Sequence, residues 1–305
     1  MLAALLCTFL FSISVVCAHR SARLLGGTEA NFWRLVVATV LLGIWSFGFG
    51  SGLDGEAFPT FFLSGLVGIG LGDMALFQAL PLLGSRLSLL LINCLTAPFG
   101  ALLEWLWLGT ALRAIQILCG IVVLAGIAWA LLPSEHIHRS RRSLASGTGF
   151  CVFSALAGAV GAVLSRKAYG LVHAAGQELD GGNAAFQRVV GGLLIASLVL
   201  LLVKRRTLRD NSRDHASAVQ HISNKWRGIW PWVLLNGLAG QTLGVSFMQR
   251  ALETTPTGIV LAIIATTPIV VVPLAMVFEH ERPTLHSLTG GSIAVAGVIG
   301  LILTK

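Results

Sequence analysis

Apolar residues run along this chain in long unbroken stretches, separated by short clusters of Gly, Pro and charged residues. A helix needs about 20 largely apolar residues to cross the roughly 30 Å hydrocarbon layer of a bilayer. The punctuation cuts the sequence into ten such windows, near 1–18, 31–50, 58–80, 85–107, 113–132, 148–170, 184–203, 229–250, 256–278 and 284–303. A closed barrel is the other structure that satisfies its backbone in lipid, but these windows lack the period-two alternation a barrel strand requires. The predicted fold is therefore all-α and integral to the membrane, with about ten transmembrane helices. Trp33, Trp45, Trp105, Trp107, Trp129, Trp226, Trp230 and Trp232 fall towards window ends, where amphipathic rings favour the interface. Only the connections 133–147 and 204–228 are long. The first window has a second reading as a secretory signal ending Val16-Cys17-Ala18, although no Lys or Arg precedes its apolar run.

The two halves of the chain echo each other. Phe32-Trp33-Arg34-Leu35-Val36-Val37 returns as Phe186-Gln187-Arg188-Val189-Val190, an offset of 154 positions. Further along, Gln78-Ala79-Leu80 matches Gln249-Arg250-Ala251-Leu252, Thr96-Ala97-Pro98 matches Thr266-Thr267-Pro268, and Gly120 with Ala125-Gly126 matches Gly291 with Ala296-Gly297, at offsets of 170 to 171. The longer 204–228 connection absorbs the difference. Residues 1–132 thus form a first five-helix repeat, 133–147 a linker loop, and 148–303 a second repeat carrying the basic loop 204–228. Because five is odd, the second copy enters the membrane from the opposite side, which makes the repeats inverted and suits alternating access.

Composition narrows the function classes. The chain is 55% hydrophobic and 11% charged, against about 25% charged in soluble globular proteins, which excludes a soluble enzyme. The net charge of +8 sits in short connections, where anionic lipid headgroups are partner enough and no nucleic acid is required. Cys7, Cys17, Cys94, Cys119 and Cys151 have neither paired nor metal-like spacing and read as small core residues. His280-Glu281 and His286 lack the two-His zinc spacing, because position 284 is Thr. Gly68-Ile69-Gly70-Leu71-Gly72 follows no strand and is not a dinucleotide loop. No cofactor or metal is expected.

Two stretches carry a resemblance to a known family. From Gly70 to Gly126 the chain reads as a small-residue helix, Phe77-Gln78-Ala79-Leu80, a short turn, a helix with Ala97-Pro98, then Leu108-Gly109, Gly120 and Leu124-Ala125-Gly126. From Gly240 to Gly297 it holds Gln249-Arg250-Ala251-Leu252, Thr267-Pro268, Glu279-His280-Glu281-Arg282 and Ala296-Gly297. Over nearly its whole length the chain resembles the ten-helix EamA-type members of the drug/metabolite transporter superfamily. Members usually carry Leu-Gly-Glu-Arg after the fourth helix of each unit; here Glu281-Arg282 keeps it in the second copy, while Gly109-Thr110-Ala111 departs in the first. The Trp-Gly opening of the first helix is also missing. The resemblance implies a bacterial-type inner-membrane secondary transporter, not an enzyme, that moves a small organic metabolite, with protons as the candidate coupling ion and a homodimer as a further candidate assembly. The rival is a non-transporting polytopic protein, either an assembly partner or an integral lipid-acting enzyme, although no interfacial cluster of His, Asp or Glu favours the enzyme.

Buried polar groups are the candidates for chemistry, because a charge at mid-bilayer costs about 2.5–3.5 kcal/mol even on lenient scales. Asp73, inside the third window, either faces a cavity to exchange a proton or hold a cation, or pairs with a distant base such as Arg34. Asn93, Thr96, Gly100 and Glu104 lie along one side of the fourth helix. They either line a substrate path, with Pro98 supplying a kink, or serve as interhelical glue with Glu104 at the interface beside Trp105. Asn236, Gln241, Gln249, Thr266 and Thr267, with Pro268 as the matching kink, should face them across the centre. Arg34 and Arg188 read as charges at opposite cavity mouths or as side chains snorkelling to headgroups. Most of the 21 Lys and Arg fall in the odd-numbered connections, which places both termini outside the cytoplasm and loop 204–228 inside it. The family resemblance implies the reverse, with cytoplasmic termini.

Overall fold

The computed structural model describes residues 1–83, 85–131, 141–210, 228–271 and 285–304. Every regular element among them is helical, and each of the ten expected windows holds one. In chain order these are α1 (Leu2–Leu25), α2 (Gly27–Phe49), α3 (58–83), α4 (Ser85–Leu108), α5 (Ala114–Leu131), α6 (Arg141–Ala174), α7 (Gly181–Asp210), α8 (230–254), α9 (from Thr257 to Ile264, resuming to 271) and α10 (Leu285–Leu303). Six of them, α1 to α4 with α6 and α7, are long and apolar enough to cross a membrane. Their outward faces carry Val40, Ile44, Phe47, Ile121 and Leu202 in the open, a surface that water would not tolerate but lipid favours.

Two sequence boundaries move. Residues 141–147, expected in the linker, form the first turns of α6, and 204–210 of the expected basic loop extend α7. Arg, Lys and Leu are good helix formers, so a helix continues past the point where lipid ends. Residues 133–140, 211–227 and the Glu281-Arg282 turn lie outside the described residues.

The halves share an irregularity that no window predicted. Within α3, Leu66–Leu71 is wound as a π-helix, and within α8, Gly237–Gly244 is wound the same way. The two segments begin 171 positions apart, the offset of the sequence repeat. Both are glycine-rich, and glycine offers little side-chain packing to hold the tighter α-helical turn.

The halves interlock rather than sit side by side. α1 packs along α8 while α6 packs along α3; α2 meets the π segment of α8 while α7 meets that of α3; α5 and α10 pair. Lipid supplies no hydrophobic drive between helices, so such contacts depend on close backbone approach and on hydrogen bonds. The glycines provide the approach. A Cβ on Gly161 would stand 2.8 Å from the Gly68 Cα, and one on Gly126 would stand 2.5 Å from the Ala294 nitrogen. Ser64 Oγ donates to Gly161 O at 2.6 Å and Ser154 Oγ to Gly72 O at 2.9 Å, fastening α3 to α6.

Gly126→Val is therefore expected to destabilise the protein by at least about 1–3 kcal/mol, the usual cost of overpacking, because backbone stands in the way. Gly149, with open space where its Cβ would be, should accept Ala without loss. Thermal unfolding of both purified variants in detergent checks the pair; equal midpoints would refute the close-approach account.

Candidate functional site

Position 268 shows how the membrane interior handles a broken ladder. Proline has no N–H, so Pro268 leaves the Ile264 carbonyl without its helical donor. α9 breaks just before it, at Ala265-Thr266. Thr267 Oγ1 donates to Ile264 O and Thr266 Oγ1 to Ile263 O, both at 2.6 Å, while Thr8 and Ser12 of α1 donate to Ile263 O and Thr267 O at 3.3 and 3.2 Å. Thr266 and Thr267 thus repair backbone. Pro98 lies inside α4, where Thr96 Oγ1 donates to Ile92 O at 2.6 Å. Asn93, on the same helix, is half-buried. Asn236 accepts from Ser14 Oγ at 2.7 Å and ties α8 to α1.

Two charge pairs sit near opposite ends of the bundle. Arg34 Nη2 donates to Asp73 Oδ2 at 2.6 Å and Arg34 Nε to Asn31 Oδ1 at 2.8 Å, so Asp73 is paired and only partly exposed. Gln78 stands exposed beside them, in a small recess with Asn31, Met74 and Phe77.

The second pair corrects the expectation for Glu104. Glu104 is 1% exposed, neither interfacial nor open to a path. Its carboxylate accepts from Arg166 Nε and from the Thr257 N–H at the start of α9. Arg166 Nη1 also donates to Leu252 O and Thr255 O, at 2.9 and 3.0 Å, at the end of α8. A carboxylate at one helix N-terminus and a guanidinium at another helix C-terminus each complement the helix dipole and fill orphan backbone groups. This bridge joins α4, α6, α8 and α9. Sequence reasoning passed over Arg166; its signal was a base near a window end at the level of a buried Glu.

Arg188 differs from its repeat mate. It is 3% exposed, so it does not snorkel, and its side chain makes no hydrogen bond or ion pair with the described residues. The position 171 beyond Asp73 is Gly244, so the second half has no matching carboxylate. Arg188 Nη2 lies 3.3 Å from where a Cβ on Gly68 would stand. The two bare glycines, Gly68 and Gly161, leave that space.

Further buried polar atoms also lack partners among the described residues: Gln241 Oε1, Thr242 Oγ1, both amide atoms of Gln249, Gln187 Oε1 and the Tyr169 hydroxyl. The large majority of buried side-chain polar atoms are normally paired. These five residues belong, like Arg188, to α6, α7 and α8; the hydroxyls of Thr255 and Thr257, beside the Glu104 bridge, are buried without partners as well. Tyr169 and Gln187 were not anticipated; a polar residue beside Arg188 and the chain's one Tyr were the available signals. A separate cavity of about 370 Å³ opens between α4, α5, α9 and α10. Its walls are apolar, Leu102, Trp105 and Ile121 stand exposed on its outer side, and Pro98 is the one expected pathway residue it takes in.

Apolar helices with lipid-facing side chains outside and paired charges inside define a multi-pass membrane protein. Comparison with known families identifies which kind. The model of the EamA-like transporter family matches residues 1–132 and 145–303. The chain belongs to that family of membrane transporters, within the drug/metabolite transporter class. A solved structure entitled "Crystal structure of protein" is similar over 99% of this chain and 96% of its own, with a TM-score of 0.76 and 15% identity, which shows a shared fold. No curated protein matches the chain.

The bridge predicts an order of damage. Arg166→Met strands a buried carboxylate and should cost about 3–5 kcal/mol, as removing one partner of a buried pair does. Glu104→Gln keeps an acceptor for the Thr257 N–H and should cost less. Detergent unfolding midpoints test this; Glu104→Gln proving the more damaging would overturn the assigned roles.

Proposed function

We propose that the protein is a secondary transporter that carries a small organic metabolite by alternating access between its two interlocked repeats. The observation that carries this reading is the set of unpartnered buried polar atoms on α6, α7 and α8. An apolar side chain would stabilise each position better, so their presence fits a surface that completes its hydrogen bonds with a solute. The π segments lie beside this set, and such windings concentrate at functional sites.

Asp73 is the coupling carboxylate on this reading. Protonation removes its charge and frees Arg34, so binding and release of a proton would alternately open and close the α2–α3 pair. Gln78, Asn93 and Thr96 would then contribute to the path on the side of the first repeat. The setting that fits is a bacterial inner membrane, with loop 204–228 in the cytoplasm from the charge distribution.

Untargeted mass spectrometry of medium and cell extract tests the proposal, comparing cells that produce wild type, Gln249→Leu, Asp73→Asn or no protein at matched membrane abundance. Wild type should redistribute at least one organic solute. Gln249→Leu should abolish that redistribution while its unfolding midpoint stays level or rises, because the lost amide was buried without partners at a cost of about 1–3 kcal/mol. Asp73→Asn should retain exchange but lose accumulation against a gradient. No redistribution by wild type in several hosts would sink the transporter reading.

A further inference from the structure

Arg34 and Arg188 occupy matching places in the two repeats, yet of the two only Arg34 has a carboxylate, Asp73, within hydrogen-bond reach among the described residues. Arg188 is the more deeply buried of the two, and Gly244 stands where the repeat would put its acid. Its guanidinium extends from the level of Gly65, whose Cβ would collide with Arg188 O, towards Gly68 and Gly161. Those residues lie near the middle of α3 and α6, so the charge is held close to mid-membrane. A guanidinium does not lose its proton in proteins, and a buried cation without a counter-charge is costly.

We infer that Arg188 is the recognition site for an organic anion, and that a substrate carboxylate takes the place towards Arg188 that Asp73 takes towards Arg34. The planar fork of the guanidinium matches a carboxylate in two parallel hydrogen bonds. Unpartnered groups on α6 and on α8, which packs against α7, suit the remainder of such a solute. Tyr169 packs in one cluster with Ala184, a single helical turn before Arg188, and its hydroxyl is unpartnered. Gln249 stands 171 positions beyond Gln78, and its amide offers a donor and an acceptor, both unpartnered. Gln241 and Thr242 add further hydrogen-bonding atoms from the second π segment. Within this set of five residues Arg188 is the one charged group, which selects a solute with a single anionic group and a polar body. The inference rests on the transporter reading for its use of the word substrate, but the anion site itself can be measured separately.

Purified protein in detergent is titrated at constant ionic strength with benzoate, succinate and inorganic phosphate, and with benzamide and tetramethylammonium as neutral and cationic controls, reading the unfolding midpoint. A saturable rise is expected with a carboxylate and not with benzamide or tetramethylammonium. Arg188→Gln should weaken that response at least about thirtyfold, the low end for truncating one member of a buried charge pair. Arg188→Lys, which keeps the charge and loses the fork, should respond at an intermediate concentration, and it carries the test if Arg188→Gln does not fold. An equal response to benzoate and benzamide, a response to phosphate alone, or a carboxylate response unchanged in Arg188→Lys would overturn the inference. The cellular experiment separates the two readings. Redistribution of only neutral or cationic solutes, with no carboxylate response in vitro, overturns the anion site and leaves transport standing. An Arg188-dependent carboxylate response without any redistribution leaves the site standing and removes transport.

Discussion

Lipid removes the hydrophobic effect as a force between helices, and this constraint governs the rest of the molecule. Association must come from packing at short range and from a small number of polar bonds. The chain answers with bare backbone at the crossings: Gly65 against Arg188 O, Gly161 against Gly68, Gly126 against Ala294. Such contacts cannot be made by one repeat alone, because the facing surface in each case belongs to the other. Interlocking of α1 with α8 and of α6 with α3 follows from that complementarity, and it couples any movement of one half to the other.

The same solvent forbids loose backbone unless protein covers it. Among the described residues the π segments of α3 and α8 and the break in α9 depart from the α-helical ladder, and at the last the compensation is explicit. At the α9 break, Thr266 and Thr267 repair their own helix while Thr8 and Ser12 reach in from α1. Threonines that look like pathway residues from their polarity are therefore accounted for by one proline. Asn236, held by Ser14, is explained in the same way. What these local repairs leave over includes a set on α6, α7 and α8 whose polar atoms nothing among the described residues satisfies.

Legibility from sequence followed this division. Window length, the odd helix number and the repeated Arg, Gln, Pro and Gly positions carried the helical fold and its family, since each is written in the local pattern. Helix ends were less legible: α6 and α7 run beyond their apolar windows because helix propensity continues after lipid stops. Partnerships were least legible of all. Asp73 could be paired or free, and the sequence contained both readings; only the packing of α2 on α3 decides for Arg34. The Glu104 bridge joins residues 62 and 153 positions apart, a separation that no local spacing encodes. Arg188 was legible as a repeat of Arg34, but its burial depends on two glycines from other helices.

The most consequential feature is an inequality between copies that otherwise agree. Inverted repeats can exchange conformations as access alternates, but they cannot exchange side chains. Arg34 has Asp73 beside it, and Arg188 has Gly244 where an acid would be. The first repeat therefore holds an internal ion pair, and the second holds a buried cation without one among the described residues. On the proposed reading this divides the labour: one repeat is suited to coupling, the other to recognition. Because α7 rests on the π segment of α3, a change of partner at Arg188 bears directly on the helix that carries Asp73. The two arginines are thereby linked through a single helix, α3, which gives solute binding and carboxylate pairing a shared mechanical element.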